Sequence, residues 1–207
     1  MKETIARVLI LIAGLIIAHL GVSLFLLADL GSDPFNVMIQ GLSRTIDIAF
    51  LSHGNTHMAV SILIIIILLM TDRSYIKIGT LICMFCGGPI IDLFNMVLSP
   101  MITPDSHIAI RIICNALGCI ILACGMSIVI KSNAGTGPND LVGVVISDKL
   151  HQKFSIVRMC VDGGFLLLGW LLGGAVGLGT VICLFLVGPV AGFFLPRSER
   201  LITRILK

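Results

Sequence analysis

Charge and aromatic rings are both scarce in this chain. Of 207 residues, only 12% are Asp, Glu, Lys or Arg, about half the share of an average soluble domain. That is too little polar surface to coat a globule of this size, so a soluble domain is excluded. Aromatics make up 6%, with one Trp and one Tyr, so the 57% hydrophobic content is mostly aliphatic. Metal-binding patterns are missing as well. Cys83 and Cys86 stand in a C-x-x-C spacing, but no second pair follows, and all seven cysteines lie in apolar runs. They read as small hydrophobes. No nucleophile–base pairing, zinc motif or phosphate loop is visible, so neither an enzyme nor a cofactor is expected, and no nucleic-acid partner.

The chain is rich in apolar runs, and the lipid bilayer is its expected solvent. About 20 apolar residues are needed to cross a hydrocarbon core of about 30 Å. Six stretches reach or approach that length: 8–28, 56–71, 78–98, 109–130, 155–172 and 178–196. Lys2 and Arg7 before the first run imitate a signal peptide, but the run is long and lacks a small-x-small cleavage site. It reads as a retained span.

With six spans and both termini cytoplasmic, twelve basic residues fall inside: Lys2, Arg7, Arg73, Lys77, Lys131, Lys149, Lys153, Arg158, Arg197, Arg200, Arg204 and Lys207. Only Arg44 and Arg111 fall outside. Such asymmetry follows the positive-inside rule.

The two halves match each other. At an offset of 104, Arg7, Gly14, Gly21, Ser23, Gly31 and Pro34 meet Arg111, Gly118, Gly125, Ser127, Gly135 and Pro138. At an offset of 100, Gly79–Pro89 aligns on Gly179–Pro189 with seven identities in 11 positions. Two three-span repeats follow, 1–105 and 106–207, within one membrane domain. An odd number of spans inverts the second repeat, an architecture shared by many secondary transporters. The expected fold is all-helical, six spans in two inverted three-helix repeats, each with a short interfacial or re-entrant helix.

The candidate site residues follow from depth. At about 1.5 Å per residue, Gly88–Pro89 and Gly188–Pro189 reach similar depths near the midplane from opposite faces. Each proline removes an N–H and crowds the carbonyl four residues back. The pair reads either as plain kinks or as helix breaks lining a site. His19 lies near the midplane of the first span, as a satisfied core histidine or a site residue. Arg158 and Asp162 stand four apart on one helical face, as a structural ion pair or a functional one.

After the first and fourth spans come LGSDPFN (Leu30–Asn36) and AGTGPND (Ala134–Asp140). Asp33 or Thr136–Gly137 can cap, and Pro34 or Pro138 suits the first helical position. Short helices are expected over 34–46 and 138–150. Asp33 and Asp140 serve either as caps or as acids at a gate that attracts cations.

Leu30–Gly41, the later AGTGPND and the two GT…GP blocks resemble the YczE/YyaS/YitT family of small bacterial membrane proteins, in its short YczE-like branch. That resemblance covers about residues 5–196 and implies a bacterial plasma-membrane protein, without assigning a substrate. The leading expectation is a small-solute or ion transporter. The alternative is a non-transporting subunit that assists a partner complex. A homo-oligomer is compatible with both.

Overall fold

A computed structural model describes residues 2–46, 53–100 and 106–206; Lys207, counted above, lies outside them. Eight helices follow one another: α1 (Lys2–Leu27), α2 (Pro34–Ile46), α3 (His53–Thr71), α4 (Ile78–Leu98), α5 (Ile108–Lys131), α6 (Pro138–Leu150), α7 (Phe154–Leu171) and α8 (Leu178–Ile205). A 3-10 turn, Arg73–Tyr75, precedes α4. No strand occurs among the described residues.

Five helices are long and apolar enough to cross a membrane: α1, α4, α5, α7 and α8. The sixth expected span, 56–71, lies within α3, whose 19 residues extend about 28 Å at 1.5 Å per residue. The surfaces of these helices carry the side chains a bilayer requires. Leu9, Met70, Phe85, Met96, Leu171 and Phe185 are among many large apolar residues left exposed. No soluble protein covers itself with such a surface; this is a multi-pass membrane protein.

The core is a crossing of α1 with α5, running antiparallel. A methyl added at Gly21 would lie 2.3 Å from Leu122 N, and one at Gly125 would lie 2.2 Å from Ala18 N. The backbones touch there, which only glycine permits, the usual device for close helix packing in lipid. α4 packs on α1 and α8 on α5, each parallel to its partner. α7 lies against α8, and α2 and α6 both pack on α7.

Positions related by the two sequence offsets make matching contacts. Arg7 donates to the Ser132 carbonyl (3.0 Å), and Arg111 to the Ala28 carbonyl (2.8 Å). Ser23 donates to Ile91 O and Ser127 to Ala191 O, both at 3.3 Å. Gly79 N donates to Ala134 O (2.9 Å), and Gly179 N to Leu30 O (2.7 Å). In the first and third pairs, each half satisfies a backbone carbonyl of the other.

Candidate functional site

Both short helices begin where proline and the capping residues predict. Asp33 accepts from the backbone N–H of Phe35 and Asn36, each at 3.1 Å, and so caps α2. The expectation fails for Thr136: Gly137 is the N-cap of α6 and makes no side-chain cap. The Thr136 hydroxyl is buried with no hydrogen-bond partner.

The direction of these helices matters more than their ends. On α2, Phe35 packs edge-on against Phe165 of α7, with ring centroids 5.2 Å apart. Ten residues later, Thr45 donates to Leu172 O and Arg44 to Gly173 O, at the end of α7. α2 therefore starts inside the bundle and runs outward beside the last half of α7. On α6, Asp140 meets Arg158, while Ser147 donates to Gln152 O just before α7 begins. α6 also starts inside and runs outward, toward the opposite end. Their N-termini face each other across about 10 Å of α7, the seven steps from Arg158 to Phe165.

Arg158, Asp162 and Phe165 share one face of α7 in this interval, at i, i+4 and i+7. The Arg158 Nε donates to Asp162 at 2.8 Å and its Nη1 to Asp140 at 2.6 Å. Arg158 is 6% exposed and Asp162 1%. The expected i,i+4 pair is thus present and extended by a third partner from α6. One oxygen of Asp162, Oδ1, is buried without any hydrogen-bond partner. Asp140, through Arg158, and Asp33, beside Phe35 at the start of α2, flank this pair from the two short helices.

His19 packs in the crossing of α1 with α4. Its Nδ1 donates to Leu15 O at 2.7 Å, and a methyl at Gly87 would lie 2.8 Å from its Nε2. The Gly–Pro pairs stand apart from the cluster. α4 and α8 run unbroken through Pro89 and Pro189. Gly88 and Pro89 are exposed, with open space beside Gly88; Gly188 packs on Ser155 O, and Pro189 is exposed. The expected breaks are absent as helix discontinuities, and these four residues are not brought together with the acids. Phe35, Phe165 and His57, whose ring meets Phe35 at 5.4 Å, are cluster residues that the sequence reading missed. The i, i+4, i+7 spacing of Arg158, Asp162 and Phe165 is the signal that would have found one of them.

A cavity of about 800 Å³ opens at the end of the bundle where Arg7 and Leu206 both lie. Lys77, Lys131, Asp148 and Glu199 line its mouth, and Gly135, Thr136 and Leu141 its inner end. That inner end reaches the first turn of α6, next to Asp140. Tyr75 stands at the mouth, where partial burial and the neighbouring Asp148 carboxylate hold its phenol above the ordinary range.

A buried ion cluster facing two inward-pointing helix ends, within a multi-pass helical bundle, places the chain in the class of polytopic membrane proteins with an internal polar site. The chain belongs to a family of unknown function (DUF6198), whose model matches residues 5–196. It is 29% identical over 202 residues to the uncharacterized membrane protein YczE of Bacillus subtilis (strain 168), covering 97% of this chain and 91% of that one. The uncharacterized protein YyaS of the same organism is 29% identical over 188 residues, covering 90% and 91%. An uncharacterized protein of Haemophilus influenzae (Rd) is 30% identical over 192 residues, covering 93% and 84%. No solved structure matches.

Proposed function

We propose that the protein is a small-solute transporter of the bacterial plasma membrane, working without chemistry on its substrate, with its site at Asp140, Arg158 and Asp162. The observation that carries this reading is the Asp162 carboxylate, buried within a helix long enough to span and holding one oxygen unpartnered. Ionisable groups at such depth are costly, and they mark a pathway or a relay far more often than a scaffold. The architecture supports the reading. Six crossings, with α3 as the second, and two inverted repeats (1–105 and 106–207) account for the matched interhalf hydrogen bonds. Both termini then lie in the cytoplasm, consistent with Arg7 and Leu206 lining one cavity. On this reading the cavity is the cytoplasmic vestibule, and α2 and α6 are re-entrant helices whose N-termini meet at the substrate. Discontinuous helix ends at a repeat interface are the usual binding elements of such transporters.

Access from both sides is the test. In a background without the native cysteines, Thr136→Cys should react with a membrane-impermeant thiol reagent from the cytoplasmic side only. Ser32→Cys, at the equivalent position of the other half, should react slowly from the external side as the protein alternates. A Ser32→Cys that stays inert while Thr136→Cys reacts leaves a one-sided pit. That outcome, with a partner co-purifying in stoichiometric amount, would favour the accessory-subunit alternative. Reporter fusions after Lys153 and near Gly174 should read cytoplasmic and external; the reverse result removes the six-span topology.

A further inference from the structure

The charges around Asp162 do not cancel. Asp33, Asp140 and Asp162 contribute three negative charges, and Arg158 one positive charge, since it stays protonated at any accessible pH. The N-termini of α2 and α6 point at the same place, and each adds roughly half a positive charge. The remainder is about one negative charge, with Asp162 buried and Asp33 and Asp140 only partly covered. A buried carboxylate in such a place is answered by a proton or by a cation. A divalent cation overshoots it and an anion deepens it.

The geometry narrows the chemistry further. Among the described residues, no three of His, Cys, Asp and Glu come together to ligate one metal ion. The acids instead come from three elements, Asp33 before α2, Asp140 on α6 and Asp162 on α7, with the rings of Phe35 and Phe165 stacked edge-on between α2 and α7. Separated carboxylates next to aromatic faces suit a cationic group that donates several hydrogen bonds and also packs on rings, as amines and guanidiniums do. The protein already holds one such group there. Arg158 bridges Asp140 and Asp162, yet it leaves Asp162 Oδ1 bare.

We propose that the interval between the α2 and α6 N-termini binds a small organic monocation, an amine or guanidinium, with Asp162 Oδ1 as its principal acceptor. Arg158 is the tethered occupant of the empty site and shifts toward Asp140 when the ligand arrives. Phe165 and Phe35 give the ligand its apolar wall. The vestibule ending at the unpartnered Thr136 hydroxyl is the approach. This proposal rests on the transporter reading for its purpose but is tested by binding alone.

The experiment is thermal unfolding of the full chain in lipid nanodiscs, at constant ionic strength, titrated with methylguanidinium, propylammonium, potassium, magnesium and acetate at millimolar levels. A ligand that binds the native state raises its apparent stability by mass action. At least one organic cation should give a saturable rise in wild type, and the other three salts none. Asp162→Asn should weaken the apparent affinity at least tenfold, while Asp162→Glu, which keeps the charge, should retain a saturable rise. Should Asp162→Asn fail to fold, Phe165→Leu replaces it, with a several-fold loss expected from the missing ring. The proposal is overturned by equal responses to magnesium or acetate, by no response to either organic cation, or by an unchanged response in Asp162→Asn. If an organic cation binds while Ser32→Cys never opens, binding stands and transport falls. If Ser32→Cys opens and no cation binds, the reverse holds.

Discussion

At one end of the bundle the chain after α1 meets the start of α8; at the other, the chain after α5 meets the start of α4. The two joints share a framework. Asp29 and Asn133 both have positive φ (48° and 58°), as do Gly31 and Gly135 (116° and 130°), and Gly179 N and Gly79 N both reach across to the other half. They differ in how they close. At the first joint the Thr180 hydroxyl donates to Ser32 O at 2.6 Å. At the second, Thr80 makes no such bond to Thr136 among the described residues, and the Thr136 hydroxyl is buried without a partner where its residue borders the cavity. The surroundings follow suit. α8 buries eight residues, Gly179 to Ile202, whereas α4 buries four, the last being Gly87. One backbone design thus serves as a sealed joint and an unsealed one, and side-chain hydroxyls make the difference.

The largest effects should treat the joints alike. A methyl at Gly31 would sit 2.8 Å from Gly177 Cα, and one at Gly135 would sit 2.5 Å from Thr80 N. Both positions also hold positive φ. Alanine at either combines backbone strain with overpacking, about 3 kcal/mol or more, and folded yield by size exclusion should collapse in both. If Gly135→Ala is tolerated, the joints are not equivalent. Next come the arginines. Arg7→Gln removes one bond from a charged donor to an interhalf carbonyl, and Arg111→Gln removes two, to Ala28 O and Asp29 O, each worth about 1.5–3 kcal/mol. Unfolding midpoints in detergent should fall in both, further for Arg111→Gln, and a shift confined to one of them would separate the halves.

Smaller changes should tell the joints apart. Thr180→Val loses the bond to Ser32 and a 3.3 Å bond from Gly177 N; about 1 kcal/mol is expected. Thr80→Val loses only a 3.5 Å contact from Lys77 N, so its midpoint should barely move. Equal losses would erase the sealed-versus-unsealed distinction. Thr136→Val comes last. A hydroxyl with no partner contributes no bond, so stability should change by less than about 0.5 kcal/mol. A larger drop would mean that the second joint is held by a bond after all.

Much of this arrangement is legible in the residues, and the parts that are not have a common cause. Pro34 and Pro138 announce the first turns of α2 and α6 because proline is prearranged for that position, and both helices begin there. Arg158 and Asp162 announce their pairing by local spacing. The direction in which α2 and α6 point is set by what they pack against, and no local pattern carries it. The same is true of rotation. Of the two adjacent glycines in α4, Gly87 faces His19 and Gly88 faces open space, although both read alike in sequence. The link from Asp140 to Arg158 crosses 18 residues and two helices, beyond the reach of any period. The Gly–Pro pairs read as kinks or as breaks because the lost N–H is local, whereas the continuity of α4 and α8 through them depends on the whole length of each helix.

The crossed hydrogen bonds also have a consequence for biosynthesis. The Leu30 carbonyl, delivered early, is satisfied by Gly179 N, which leaves the ribosome about 150 residues later, some 10–30 s at usual elongation rates. Ala28 and its acceptor carbonyl wait for Arg111 in the same way. During that interval the first half of the chain carries backbone groups that its own residues do not answer. Its nascent form must be sheltered by the insertion machinery, or by water at the bilayer surface, until its own second half arrives as the partner.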